Sequence, residues 1–250
     1  MTTPVTSTVR AELRRAAYRR APRNVIAGTA IICVAAAVVV IAKQTPLGGV
    51  GYVAELWRGV GMYTGLASAV VGATLIGADF ASGEVVTTML CQPDRRRLML
   101  VKSMVAGATA ALTALAMVVV ASGVYLVTTR FTAVGVSPTD GRLGGVLVGV
   151  LAAAFLIGAA AAGCTYVFRS SLTFPLVFLS LYLFGDRVLS LATPKLLDVL
   201  PVTNVMAVST AGGAYASTGL GVSAPVPTAV VWCGISLVAG FLAFRRWEPS

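Results

Sequence analysis

Long apolar runs separated by short polar segments dominate the pattern of this chain. A helix needs about 17 to 25 mainly apolar residues to cross the hydrocarbon core of a bilayer. Six runs of suitable length occur, at Val25 to Ala42, Val60 to Ala78, Met104 to Val127, Leu143 to Phe168, Leu172 to about Ser190 and Thr228 to Phe244. We therefore predict an all-α, polytopic transmembrane bundle of six helices over residues 25–250.

Composition supports this prediction. Of the 250 residues, 57% are hydrophobic and only 11% are charged, and the mean hydropathy is +0.88. Soluble domains carry about 25% charged residues. So few charges could not cover a soluble surface, so we expect lipid to cover it.

The distribution of charge predicts the orientation. The net charge of +10 alone would be compatible with nucleic-acid binding. However, the basic residues cluster before the first apolar run and in the loop after the second, as the positive-inside rule requires. With both termini in the cytoplasm, the inner segments hold 13 of the 19 Lys and Arg residues. We expect a multi-pass protein in contact with lipid and no nucleic-acid partner.

Two segments outside the regular spans have distinct patterns. Residues 1–24 form a basic arm that predicts a cytoplasmic amphipathic helix on an anionic membrane face, although a disordered topogenic arm stays open. Residues 190–227 are apolar but rich in Gly and Pro, which predicts a short broken or re-entrant segment on the outer side before the last span. Asp186 and Arg187 precede it. We favour an interfacial ion pair or helix end over a proton relay there, because a charge at mid-bilayer costs about 2.5 to 3.5 kcal/mol.

The sequence offers little support for a catalytic site or a metal-binding site. The chain has no His, and its four Cys residues form no CxxC pair. The commonest general base and nitrogen metal ligand are therefore absent. No GxxxxGK[ST] motif occurs, and none of the three Lys residues follows a Gly. The chain thus has no P-loop for ATP, and we expect it to bind no cofactor and to have no catalytic residues.

Small residues recur at every fourth position in two spans. Such spacing lets helices approach closely. The second span carries Gly61, Gly65, Ala69, Ala73 and Gly77, and the fourth carries Gly141, Gly145, Gly149 and Ala153. Tight helix packing and chance spacing in a chain rich in Ala and Gly both remain open.

The cytoplasmic loop of residues 79–102 predicts a short helix. Ser82 can cap it, Glu84 lies in its first turn where the helix dipole favours an anion, and Pro93 ends it. One apolar face would contain Val85, Val86, Met89 and Leu90. Such a face can be buried in a groove of a partner protein, or it can lie on the membrane surface.

This loop resembles that of the permease subunits of ABC-2 type bacterial exporters. Those proteins typically show an acid, a Gly-led short helix, a Pro and a basic turn, then a Lys that opens the third span. The matching residues are Asp79, Gly83, Pro93, Arg95, Arg96 and Lys102. The layout of the whole chain is similar as well, with a basic arm, six spans and a broken segment before the last.

The resemblance implies a permease in the bacterial plasma membrane that works as a homo- or heterodimer with a second permease subunit. Two ABC ATPase subunits would bind the ATP and drive transport. The resemblance assigns coupling to the ATPase to Ser82, Gly83, Glu84, Val85, Val86, Met89, Leu90, Pro93, Arg95 and Arg96. The substrate would be an amphipathic or lipid-like molecule moved outward.

Two other functions stay open. A non-transporting membrane scaffold or immunity protein would use the same small-residue contacts between helices. A membrane-embedded enzyme has less support, since its Ser and Thr candidates lack an evident base.

The predicted topology can be tested with fused reporters. A reporter after Arg142 or within residues 212–223 should lie outside the cell, and one within residues 94–97 should lie in the cytoplasm, because the basic loop stays inside. Accessibility of each reporter in intact cells is the measurement. Reporters that all lie on one side would contradict the six-span topology.

Overall fold

Helices make up the regular structure of the described residues. A computed structural model describes residues 50–91, 94–132, 142–181 and 225–246, together with seven separate positions between 14 and 35. Every secondary-structure element in these residues is helical, which confirms the all-α class. In chain order the elements are α1 (Val50–Ala81), α2 (Glu84–Cys91), α3 (Arg95–Thr132), α4 (Arg142–Phe168), α5 (Thr173–Ser180) and α6 (Pro225–Arg245).

Four of these helices are long and apolar enough to cross a bilayer, as a membrane-embedded protein requires. Their membrane-length portions are Tyr63–Ala81, Arg95–Val127, Gly144–Phe168 and Val226–Arg245. They correspond to the second, third, fourth and last of the predicted spans. The predicted first span, the arm of residues 1–24, Asp186, Arg187 and residues 190–224 lie outside the described ranges, apart from the seven separate positions, which are all helical. Of the predicted fifth span, α5 and Leu181 are described.

The helices begin earlier than hydropathy predicts. The first described helix starts at Val50 rather than Val60, and α3 starts at Arg95 rather than Met104. Hydropathy identifies only the apolar part of a helix, which can lie in the hydrocarbon core of a bilayer. The helix itself can continue beyond this part into the polar headgroup region. The last helix starts at Pro225 rather than Thr228, because Pro is well tolerated in the first turn, where the N–H has no helical partner.

Helix α4 occupies the centre of the described bundle and packs against α1, α3 and α6. Close backbone contact makes this possible. A Cβ added at Gly72 of α1 would overlap the carbonyl group of Gly158 in α4. A Cβ at Gly158 itself would lie 2.6 Å from the Cβ of Ala110 in α3. Five residues further along α4, a Cβ added at Gly240 of α6 would overlap the carbonyl oxygen of Gly163. Four glycines thus bring three helices onto α4.

The small residues that the sequence analysis singled out occupy different environments. All five of the α1 set are buried, namely Gly61, Gly65, Ala69, Ala73 and Gly77. A Cβ at Gly77 would lie 2.8 Å from the Cα of Ser171, in the turn between α4 and α5. Of the α4 set, Ala153 is buried and Gly149 half-buried, whereas Gly145 is exposed with open space around it. Gly141 lies outside the described residues.

Three core clusters follow one another along the bundle. The first contains Leu56 of α1 together with the second half of α3 and the start of α4. The second lies at the opposite end, where α1 ends and α3 begins, and it includes residues of α6. The third lies between α1, α4, α5 and α6 around Ile157 and Phe178. Because α1, α4 and α6 end near the second cluster and α3 begins there, it joins all four membrane-length helices.

Replacing Gly158 by Val should destabilise the bundle, because the new side chain would meet Ala110 and the carbonyl oxygen of Ala106. Overpacking of this kind costs about 1 to 3 kcal/mol or more when only backbone can yield. The measurement is the thermal unfolding midpoint in detergent. Gly145→Val, on the same helix but with open space around it, is the matched control and should leave the midpoint nearly unchanged. Equal midpoints for the two variants would contradict the close contact.

Candidate functional site: the connector helix and the buried ion pair

The short helix α2 connects α1 to α3, as the loop sequence predicts. The chain leaves α1 through Gly83, whose φ of +71° is accessible to glycine at little cost. Ser82 does not cap α2. Its hydroxyl instead donates to the carbonyl oxygen of Ala78 at 2.9 Å, within the last turn of α1. Glu84 occupies the first turn of α2 as expected.

The apolar residues of α2 divide between two environments. Val85 is 5% exposed, and it belongs to the core cluster at this end of the bundle. Met89, one turn later, is partly buried against the same cluster. Val86 is half-buried, and Leu90 is 81% exposed. The four residues therefore do not form one free face, because two of them pack on the chain itself.

The cluster beneath α2, which we call the basal cluster, draws residues from five helices. Its buried members are Val71, Leu75, Ile76, Val85, Leu98, Met99, Ala106, Ala162, Tyr166 and Phe244. Aromatic rings join three of the helices. The ring of Tyr166 in α4 lies 5.8 Å from that of Phe80 in α1 and 4.9 Å from that of Phe244 in α6. Such contacts are worth about 0.5 to 1.5 kcal/mol beyond the area they bury.

An ion pair lies buried at the same end of the bundle. The Nζ atom of Lys102 in α3 donates to Oδ2 of Asp79 in α1. Asp79 is 3% exposed and Lys102 is 5% exposed. In such surroundings a lone charge would be expensive, and each charge makes the other tolerable. The pair therefore ties the end of α1 to the start of α3, on either side of α2.

Two further polar contacts hold the start of α3. Asp94 accepts a hydrogen bond from the backbone N–H of Arg97 at 3.1 Å and so caps the helix. The guanidinium of Arg95 donates to the carbonyl oxygens of Phe244 and Arg245, at 3.4 and 3.1 Å. These carbonyl oxygens belong to the last turn of α6, where carbonyl groups have no N–H partner within the helix. One arginine thus links the basic turn to the last helix.

Most residues to which the resemblance assigned coupling lie at one end of the described bundle. Those from Ser82 to Leu90 form the turn after α1 and most of α2, while Arg95 contacts α6 and Arg96 is exposed. Pro93 lies outside the described residues. The sequence analysis missed three contributors: Asp94, Tyr166 and Phe244. Asp94 carries a recognisable signal, an Asp directly before a predicted helix. The two aromatic residues carry none, because their partners are distant in sequence.

Positive charge collects at this end of the described bundle. Seven basic residues occupy the start of α3 and the ends of α4 and α6, namely Arg95, Arg96, Arg97, Lys102, Arg169, Arg245 and Arg246. Three acids accompany them in the described part: Asp79, Glu84 and Asp94. Since Asp79 is paired with Lys102, the exposed surface around α2 is strongly basic.

A half-enclosed apolar cavity of about 330 Å³ opens between α4, α5 and α6. Aliphatic and aromatic side chains form most of its wall. Its few polar side chains are Cys164, Cys233 and Ser236. Both thiols are free. The described residues that line this cavity therefore offer shape and apolar contact, and none of them is charged.

Comparison with models of known protein families gave no match, and comparison with curated proteins gave none either.

Removing one member of the ion pair should be far more damaging than removing an exposed cation. Lys102→Met removes the ammonium group that compensates the buried Asp79 carboxylate, and breaking a buried ion pair in this way costs about 3 to 5 kcal/mol. The double variant Asp79→Leu with Lys102→Met should recover most of the stability, because an apolar pair of similar volume needs no compensation. Thermal unfolding in detergent measures both.

Arg96→Met is the control for this comparison, since Arg96 is exposed on the same helix. Its unfolding midpoint should stay close to that of the unsubstituted chain. A Lys102→Met variant as stable as Arg96→Met would contradict a structural role for the buried pair.

Proposed function

We propose that this chain is the membrane-spanning permease subunit of an ATP-driven exporter of the ABC-2 type, moving an amphipathic or lipid-like substrate outward. A separate ABC ATPase chain would hydrolyse the ATP, and a second permease subunit would complete the translocation path. The proposal combines the resemblance of the loop with the arrangement of α2 at the basic end of the bundle. The full topology in this proposal has six spans and both termini in the cytoplasm.

The observation that carries the proposal is the two-sided burial of α2. Val85 inserts into the basal cluster, whereas Leu90 on the same short helix is 81% exposed. An exposed leucine beside a basic surface is suited to a groove on a partner protein. The buried valine contacts a cluster that joins α1, α3, α4 and α6. A force applied to the outer side of α2 would therefore reach all four membrane-length helices.

The basic residues around α2 support a cytoplasmic location for this helix. The seven basic residues at its end of the bundle are of the kind that the positive-inside rule keeps in the cytoplasm. An ATPase also works in the cytoplasm, where ATP is available. Alternating access would then follow from motion of packed helices against one another, driven through α2.

The proposal is tested by placing a charge on the outer side of α2. Leu90→Asp should separate this chain from its candidate ATPase subunit, because the carboxylate would be buried in the partner's groove without a counter-charge. We expect at least a tenfold loss of ATPase recovered by copurification in detergent, together with loss of substrate-stimulated ATP hydrolysis. Leu90 is chosen over Met89, since Met89 packs on the chain's own core.

Ala81→Asp provides the control. It adds the same charge at an exposed position at the end of α1, outside α2, so it should leave copurification and hydrolysis nearly unchanged. Equal retention of the ATPase by Leu90→Asp and Ala81→Asp would remove the coupling role of α2. A chain with no ATPase partner at all would instead favour a membrane scaffold.

A further inference from the structure

The cavity between α4, α5 and α6 extends along α4. On α4 its wall runs from Leu156 through Ala160 and Cys164 to Phe168. Twelve residues of helix correspond to about 18 Å along the axis. The volume of about 330 Å³ lies in the range of small-molecule pockets, about 300 to 1,000 Å³. A narrow apolar ligand would fill such a space.

Among the described residues, a charged side chain adjoins one end of this cavity. Phe168 is the last residue of α4, and the exposed Arg169 follows it directly. The described residues that line the cavity itself are uncharged. On α4 the cavity therefore runs from the middle of the helix to its end, where Arg169 follows. This is the distribution of an amphiphile with an apolar chain and an anionic head.

We propose that the cavity binds one acyl chain of an anionic phospholipid from the adjoining leaflet, with the headgroup phosphate near Arg169. Burial of methylene groups supplies the affinity, and the cation supplies the preference for negative headgroups. The lipid tail contacts Trp232 of α6, which forms part of the wall. Binding does not depend on the proposed export function. Where that function holds, the cavity assigns the substrate class to anionic lipids that enter between α4, α5 and α6.

Trp232 provides a direct measurement of occupancy. In the full chain with Trp57→Phe and Trp247→Phe, it is the one remaining tryptophan. Phosphatidylglycerol with brominated acyl chains is titrated into the protein in detergent, and quenching of tryptophan fluorescence is recorded. We expect saturable quenching, with half-saturation at a concentration about fivefold lower than for phosphatidylcholine carrying the same chains, the effect of one nearby cation.

Two pairs of variants distinguish a specific site from general contact with lipid. Ala160→Phe fills the cavity and should abolish saturable quenching, whereas Ala152→Phe, exposed on the same helix and outside the cavity, should retain it. Arg169→Gln should remove the preference for phosphatidylglycerol, and Arg96→Gln, on a helix that does not line the cavity, should preserve it. A circular dichroism spectrum and a single elution peak verify that each variant is folded.

Quenching that rises linearly with lipid, or that Ala160→Phe leaves unchanged, would overturn the site. Saturable quenching with equal affinity for both headgroups would overturn its assignment to anionic lipids. The assay contains no ATPase, so its outcome is independent of the coupling experiment on α2. Failure of one proposal therefore leaves the other intact.

Discussion

Close backbone contact at α4 is the constraint on which the rest of the bundle depends. Lipid chains are as apolar as leucine, so burial from water does not drive one membrane helix against another. Packing and direct contact must provide the stability. Gly72 and Gly158 let α1 meet α4, and Gly163 and Gly240 do the same for α6. These contacts set the positions from which the side chains of the basal cluster converge.

The buried ion pair and the connector helix act on the same two helices. Asp79 lies in the last turn of α1 and Lys102 in the first part of α3, while α2 lies between these ends in the chain. The pair opposes their separation because either charge alone would be costly in this environment. Movement of α2 would therefore displace α1 and α3 together, and the relative motion would occur elsewhere, against α4 or α6.

Hydropathy and turn chemistry predicted the helical class, the four membrane-length helices of the described part and the existence of α2. These features depend on residues close in sequence. The burial of α2 could not be predicted. Val85 and Leu90 are both apolar, and the periodicity of the sequence does not show which of them packs against the bundle. The ion pair joins residues 23 apart, and the contact of Arg95 with α6 spans 150 residues. The glycine contacts were missed for the same reason. Gly72 and Gly158 match each other only across a helix crossing, whereas Gly145 has the expected spacing and open space around it.

The contact between Arg95 and the end of α6 has a consequence for biogenesis. Ribosomes deliver the start of α3 long before Phe244, and the basal cluster lacks one of its rings until that residue arrives. The carbonyl groups that Arg95 satisfies also belong to α6, which is made well after α3. The basal cluster beneath α2 is thus completed only after α6 has been made. A product that terminates before α6 would present α2 without part of its support, so the support of α2 distinguishes chains that contain α6 from chains that lack it.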